Sequence, residues 1–575
     1  MKKVWKGFAA AVSAAAIAAT GFIGATSANA ADGDVKVTIT GATSADQKFV
    51  AYRVLNATNN GDNYAYTINT KYSAQLKTAT GLPLNGTDEQ NNKAVTDHIA
   101  PLTAAQMKVF ADKLWVAIAN TKPAVTPDVS EFTGKTGGAS FSGPQGYYLI
   151  RQTSAGDNDA LSSVIVNTAG QNGVDVTLKK NVPTVEKKVQ NVNDSSNTTS
   201  GWQDSADHDV NDKVNFMLTG TTSTYVNDFK QYKFEFKDTM SAGLTFVQAG
   251  DTVAAGDVTV KINGTAITSG YTVTLADVPT GTAAPYAGGK VLTVSFADLL
   301  AAAKAANIKL DGGDVVKVEY KATLNESAVI GSAGNPNKVD LTFANDPHYS
   351  GAGAKEPTGT TPEDEVIVFT YEVNADKVTS DKKPLEGASF ALLKWFEADK
   401  VWKVYQHAKA ADGTNPAVAA GWVALPSGVT IANKAAIATL SQTDAAKIPG
   451  TAAENKEGKW TVNFPRIDDG DYAIVETVVP AGYNYAAPTQ FTITGNLVTT
   501  QPTGGAITGT WDAPTTGNDD VTVSGGTIST SIVNNAGNEL PSTGGMGTTI
   551  LYVAGAVIVL IAGIGLAVTL RRRQA

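Results

Sequence analysis

Apolar and polar residues alternate in short runs along most of the chain. Val35-Lys36-Val37-Thr38-Ile39 is one such run, and Lys213 to Leu218, Lys233 to Phe236, Val315 to Tyr320 and Val339 to Phe343 are others. A period of two, interrupted by Gly, Asn, Asp and Pro, predicts strands that bury one face, joined by turns. The period changes clearly in one place. Thr103 and Gln106 form a capping box, after which Met107, Phe110, Ala111, Leu114 and Ile118 share one helical face. This helix is expected to cover one side of a sandwich. A shorter Ala-rich helix is predicted around Phe296 to Ala306. The fold class is therefore all-β: tandem immunoglobulin-like β-sandwiches with a helix inserted in the first.

The two ends depart from this pattern. Lys2, Lys3 and Lys6 precede an apolar stretch from Phe8 to about Ile23, and Ala28-Asn29-Ala30 follows. This is the order of a secretory signal peptide, with cleavage expected between Ala30 and Ala31. At the other end stands Leu540-Pro541-Ser542-Thr543-Gly544, then an apolar run from Ile550 to Leu570, then Arg571, Arg572 and Arg573. The run is long enough to span a bilayer, and the arginines would stay on the cytoplasmic side. Pentapeptide, span and basic stop together resemble the cell-wall sorting signal of Gram-positive surface proteins. The resemblance implies that a sortase cuts between Thr543 and Gly544 and passes the Thr543 carbonyl to an amine.

Length then divides the chain. At 575 residues it exceeds one ordinary core. The reading is a signal peptide over 1–30, an N-terminal domain over 31–182, a middle domain over 183–350, a linker over 351–364, a C-terminal domain over 365–538 and a sorting signal over 539–575. The Thr/Gly/Pro-rich stretch from Gly351 to Pro362 suggests the linker. With 45 basic and 54 acidic residues the net charge is −9, which argues against nucleic acid as a partner. No cysteine is present, so disulfides and thiolate metal sites are excluded, and an exported chain of this size needs another source of toughness.

Lys383-Pro384-Leu385-Glu386-Gly387-Ala388-Ser389-Phe390, Tyr472-Ala473-Ile474-Val475-Glu476-Thr477 and Pro480-Ala481-Gly482-Tyr483 resemble the opening strand and E-box of collagen-adhesin B-type (CnaB) domains. The whole chain resembles the three-domain, sortase-assembled major pilins of the SpaA and FimA type, with a CnaA-like middle domain and a CnaB-like C-terminal domain. That resemblance implies lysine–asparagine isopeptide bonds inside the domains, each promoted by a carboxyl group. Burial favours the neutral amine and the protonated acid, which makes the lysine a nucleophile and the acid a stabiliser of the oxyanion.

Periodicity selects residues for those roles. Val373 and Ala375 share a face with Lys377, and Ile528, Thr530 and Ile532 share one with Asn534, while Asn535 points away. Lys377 is assigned as nucleophile, Asn534 as electrophile and Glu476 as acid. In the middle domain Val185 and Val189 flank Lys187 on one face, which prefers it to Lys188, and Leu341, Phe343 and Asn345 share another. Asp238, after Phe234-Glu235-Phe236, resembles the catalytic Asp of A-type pilin domains. The assignment there is Lys187, Asn345 and Asp238. The alternative for each trio is an ion pair at the sheet rim. Tyr148 to Thr153 repeats the spacing of Tyr472 to Thr477, with Gln152 where Glu476 stands. An amide cannot shuttle a proton, so no bond is expected in the first domain.

Polymerisation of such pilins uses one exposed lysine at the end of the first domain. Thr177-Leu178-Lys179-Lys180-Asn181 occupies that place, without the family's Tyr-Pro pair. Lys180, which precedes Asn181, is the pilus-linking candidate and Lys179 the second choice. Other constellations are set aside. His98, His208, His348 and His407 are widely spaced and read as surface residues; Asp468-Asp469-Gly470-Asp471 reads as a turn rather than a calcium loop; Asp194-Ser195-Ser196-Asn197-Thr198 lacks the strand that an adhesion-metal motif needs. No metal, no cofactor and no turnover enzyme is expected.

The function read from the sequence is the shaft subunit of a cell-wall-anchored pilus that supports adhesion. Its expected partners are a pilin-specific and a housekeeping sortase, further copies of itself, minor pilins and peptidoglycan, with host extracellular matrix or glycans as adhesion targets. The competing reading is a monomeric wall-anchored adhesin, or a minor pilin, that binds matrix or glycan.

Overall fold

The computed structural model describes residues 29–30, 33–60, 63–155, 161, 163–177, 183–224, 226–346, 357–500 and 521–537. The sorting signal, Lys179, Lys180, Ala31 and nearly all of the signal peptide lie outside them. Ala30 is described only as a short strand residue beside Thr58.

In the first domain the long strands Gln47–Asn60 and Gly146–Ala155 pair antiparallel at the centre of a six-stranded sheet. Tyr147, Tyr148, Leu149 and Ile150 are all buried, so both faces of this sheet are covered. Tyr148 and Ile150 pack with Val37, Ile39 and Phe141 of a three-stranded sheet, whereas Tyr147 and Leu149 pack with Leu76, Phe110 and Leu114 of the helices. The helix Ala104–Ala119 starts at the Thr103 and Gln106 capping box read from the sequence. Two further helices, Ser73–Thr80 and Asp88–Ile99, join it. Both are polar enough that apolar spacing did not reveal them, although Thr87 and Gln90 form a second capping box.

The middle domain is a sandwich of two sheets. One holds Val185–Val189, Lys213–Thr221 and Val315–Leu324, while the other holds Phe234–Met240, Asn335–Ala344 and Asp364–Phe369. The inward positions of these strands fill the core with Phe216, Leu218, Phe234, Phe236, Val318 and Leu341. Each fully buried Phe or Leu contributes about 1.5–3 kcal/mol. The Ala-rich helix is Leu299–Ala305, capped by Asp298.

The expected linker and domain boundary need correction. Thr358–Thr360 and Asp364–Phe369 both pair with Asn335–Ala344, so the described part of 351–364 includes sheet of the middle domain. Composition pointed to a linker, but Val366, Val368 and Phe369 bury their side chains. The domain ends at Phe369, and the next strand begins at Tyr371. Between them stands only Thr370, itself buried, whose hydroxyl donates to the Ile467 carbonyl at 3.0 Å.

The C-terminal domain is again a sandwich. Tyr371–Thr379 lies between Lys459–Ile467 and Thr527–Asn534 in a five-stranded sheet. It runs parallel to Thr527–Asn534, with Lys377 beside Ile532 and Thr379 beside Asn534. The first and last strands of the domain are therefore neighbours. The facing sheet is built around Ser389–Phe396 and Gly470–Val478.

Candidate functional site

In the C-terminal domain the structure brings together the three residues chosen from the sequence. Lys377, Glu476 and Asn534 are 0, 2 and 1 % exposed, so the trio is a core feature and not an ion pair at the rim. Lys377 and Asn534 belong to adjacent parallel strands, and Asn534 stands two residues beyond the neighbour of Lys377, on the same face. The Lys377 ammonium nitrogen contacts Asn534 Oδ1 closely and lies 3.0 Å from the Ile532 carbonyl. Glu476 reaches in from the opposite sheet. Its Oε1 accepts from Asn534 Nδ2 at 2.9 Å and lies 3.5 Å from Lys377 Nζ, while Oε2 accepts the Ala486 N–H at 2.9 Å. Burial holds the Lys377 pKa below its ordinary value, with Glu476 opposing the shift. Asn535 is exposed, as the period of two required.

The middle domain has a related site with a different layout. Lys187 and Asp238 are fully buried and in close contact. Burial lowers the Lys187 pKa and raises that of Asp238, so desolvation works on both toward the neutral amine and neutral acid. Lys188, one residue on, is turned outward and pairs with Asp204 at 2.6 Å. Asn345 does not reach Lys187. Its backbone accepts Leu161 N–H at 2.7 Å, at the junction with the first domain. Nearby, Arg151 pairs with Asp346 at 3.4 Å.

The asparagine at the site is Asn337, fully buried on the same strand. Its Nδ2 donates to the Tyr320 hydroxyl at 2.7 Å, and that hydroxyl accepts from Lys187 Nζ at 3.0 Å and donates to Asp238 Oδ1 at 2.8 Å. Alternation had given the correct face, since Asn337 and Asn345 have the same parity. It could not give the position along the strand, and at roughly 3.4 Å per residue the two asparagines are some 25–30 Å apart. Only the register of the folded sheet shows it: Asp238 sits opposite Val339, which puts Asn337 diagonally beside it. Lys187 and Tyr320 come from one sheet and Asp238 and Asn337 from the other, whereas Lys377 and Asn534 share a sheet. Asn337→Ala is expected to remove any cross-link to Lys187 and Asn345→Ala to retain it, read by mass spectrometry of tryptic peptides.

The described residues of the first domain do not repeat this arrangement. Gln152 is buried, but the strand placed like that of Lys377, Asp34–Thr40, directs Val35, Val37 and Ile39 inward and leaves Lys36 exposed. Among the described residues of this domain no buried lysine faces Gln152.

A third buried lysine lies where the middle and C-terminal domains meet. Lys394 is fully buried; its nitrogen contacts Asp468 closely and lies 2.6 Å from Asp209 and 3.4 Å from Asp194. Burial works against its charge, yet Asp209, Asp468 and Asp194 more than offset this and hold its pKa well above the ordinary value. Its surroundings therefore favour the ammonium, whereas burial works toward the neutral amine at Lys187 and Lys377. The Asp468-Asp469-Gly470 turn fits here because Gly470 has φ +150° and a Cβ would fall 2.6 Å from Ser195 Oγ. His208, expected at the surface, is 1 % exposed, with Nε2 3.0 Å from the Gln190 carbonyl and Nδ1 3.7 Å from Asp212. An apolar run, Ala391-Leu392-Leu393, conceals Lys394 in the sequence, and the acids come from distant segments.

Comparison with known proteins finds two matching regions and several similar chains. Residues 371–504 match the SpaA prealbumin-like fold domain, which begins at the first strand of the C-terminal domain, and residues 532–575 match the LPXTG cell wall anchor motif. The trypsin-resistant surface T6 protein of Streptococcus pyogenes serotype M6 is 28% identical over 226 residues, which cover 37% of this chain and 37% of that protein. The chain thus aligns with little more than a third of that relative's length. Among solved structures, the T6 backbone pilin of serotype M6 Streptococcus pyogenes is 17% identical, with 89% of this chain and 100% of that one covered and a TM-score of 0.48. The major pilin SpaA of Corynebacterium diphtheriae is 14% identical, with 88% and 100% covered and a TM-score of 0.42. Residues 371–504 are thus similar to a SpaA prealbumin-like fold domain, and the LPXTG motif makes the chain that carries them a cell-wall-anchored surface protein.

Proposed function

We propose that this chain is the shaft subunit of a sortase-assembled pilus, hardened by two self-formed isopeptide bonds. The observation that carries this reading is the buried Lys377, Glu476 and Asn534 trio, which lies between the first and last strands of the C-terminal domain. A bond there would tie the domain's two ends, so that tension along the chain passes through a covalent link. In each bond the neutral lysine amine attacks the asparagine Cγ, the new C–N bond forms, and the amide nitrogen leaves as ammonia. Lys–NH2 and Asn–CONH2 become one secondary amide and NH3. Glu476 takes the lysine proton and returns one to the departing nitrogen, since its Oε1 lies near both. Lys187, Asp238 and Asn337 form the second bond. Each chain does this once, so the chemistry is maturation and not turnover.

Assembly follows from the ends. A sortase opens the chain after Thr543 and joins the Thr543 carbonyl to Lys180 of the next copy, and the last subunit is passed to peptidoglycan. A fibre under shear fails at a rate set by unfolding, and clamped terminal strands slow that step. The expected result is a high-mass ladder on a denaturing gel of wall extracts, which Lys180→Ala abolishes. A ladder that survives moves the acceptor to Lys179 or elsewhere. A single band in both strains overturns the shaft reading in favour of a monomeric adhesin.

A further inference from the structure

We propose that Tyr320 is a catalytic residue of the middle-domain bond, carrying a proton from Lys187 to the leaving nitrogen of Asn337. This rests on the isopeptide reading above. The two sites solve the same problem with different parts. In the C-terminal domain one carboxylate oxygen, Glu476 Oε1, lies near both nitrogens: 3.5 Å from Lys377 Nζ and 2.9 Å from Asn534 Nδ2. In the middle domain Asp238 reaches Lys187 and Tyr320, and the atom that touches both reacting nitrogens is the Tyr320 hydroxyl. It stands 3.0 Å from Lys187 Nζ and 2.7 Å from Asn337 Nδ2.

The shorter acid explains the need. Asp238 has one methylene fewer than Glu476, and the tyrosine spans the remaining distance. A hydroxyl offers one proton and two acceptor positions, and here all three are engaged. The phenol is fixed by its surroundings. Its ring stacks on Phe216 at 5.3 Å, and Lys187 Nζ lies 5.1 and 5.2 Å from the Phe216 and Tyr320 ring centres. Tyr320 is buried, and burial beside Asp238 keeps it protonated, so it acts by exchange and not as a tyrosinate.

The step balances. Attack of Lys187 Nζ on Asn337 Cγ forms the C–N bond and shifts the carbonyl pair onto Oδ1. The positively charged Nζ of the adduct gives a proton to the phenol oxygen while the phenol gives its own to Nδ2. The oxygen pair re-forms the carbonyl, the Cγ–Nδ2 bond breaks, ammonia leaves and Tyr320 ends as it began. The phenol proton, which points to Asp238 Oδ1 in the resting site, turns to Nδ2 in this exchange, and Asp238, in contact with Lys187, steadies the positive charge that develops.

The test is a time course of cross-linking in full-length chain made by cell-free synthesis and quenched at intervals, read by intact mass and by the tryptic peptide joining Lys187 to Asn337. Tyr320→Phe keeps the ring and its stacking but removes the hydroxyl. It is expected to slow the Lys187 bond by about 100-fold or more, the usual size of a lost proton-transfer group, while the Lys377 bond forms at the wild-type rate. Equal rates for both bonds in Tyr320→Phe and wild type overturn the proposal and leave the isopeptide reading intact. Absence of the Lys187–Asn337 peptide from mature wild type overturns both. Should Tyr320→Phe fail to fold, chain made with fluorotyrosine reads the same step: a more acidic phenol is expected to change the Lys187 rate relative to the Lys377 rate, and an unchanged ratio overturns the proposal.

Discussion

A Glu476→Gln chain is expected to lose one ammonia fewer than wild type during maturation and to unfold at a much lower temperature. The substitution keeps the shape of the side chain and one of its two acceptor oxygens but cannot shuttle a proton. Lys377 and Asn534 remain buried side by side, 157 residues apart in sequence, without a bond between them. For a cross-link, the chain-entropy estimate for a loop of this length is about 5 kcal/mol. At roughly 2–4 °C per kcal/mol for a domain of this size, the C-terminal transition should fall by about 10–20 °C. Intact mass and calorimetry measure the two effects separately. A Glu476→Gln chain that matures to the same ammonia loss as wild type would remove Glu476 from the chemistry; one that lacks the bond but melts unchanged would remove the bond from stability.

How much of this was readable in sequence depended on the geometry of each site. Lys377 and Asn534 lie on the first and last strands of one sheet, and parity alone put them on a common inward face. In the middle domain parity rejected Lys188 and the family resemblance pointed to Asp238, but position along the strand depends on pairing register, a property of two strands that neither one carries. Asn345 was named and Asn337 was missed for that reason. Tyr320 alternates with Val316 and Val318 and so looked like ordinary core. The boundary was misplaced because Gly, Thr and Pro content suggests a linker even where the backbone pairs in a sheet. Lys394, Asp209 and Asp468 were illegible for a stronger reason: Lys394 and Asp468 stand 74 residues apart in the C-terminal domain, Asp209 joins them only where the middle domain meets it, and nothing local to any of the three announces it.

That junction supports the last prediction. Lys394→Met is expected to loosen the middle and C-terminal domains from each other. Removing one partner of a buried charge group leaves the others uncompensated and costs about 3–5 kcal/mol. Here three carboxylates lose the ammonium that faces them, so limited proteolysis near Thr370 should accelerate while the Lys377 bond, on a separate face, still forms. The wild-type junction should also respond to pH in a direction that can be worked out. Burial and neighbouring acids push Asp207 up to about 7, burial pushes Asp209 up to about 6 despite Lys394, and burial with Asp209 raises Asp468 well above the carboxylate range. An unfolded aspartate ionises near 4. Between about pH 4 and 7 the folded junction therefore holds more protons than the unfolded chain, and stability falls as pH rises through that window. Lys394 adds a further loss in the same direction only at alkaline pH, where its raised pKa is finally crossed. Asp207 accepts the Tyr371 hydroxyl at 2.7 Å and shares the interface with His208, Asp212 and Asp469. Asp207→Asn keeps most of that contact without a titrating proton, so it should flatten the slope of melting temperature against pH between 5 and 7, the range set by these raised values. A slope as steep as wild type would place the pH response elsewhere; a flattened one would tie the stiffness of the two-domain unit to the acidity around it, because the single residue between the domains, Thr370, leaves the junction nothing else to bend.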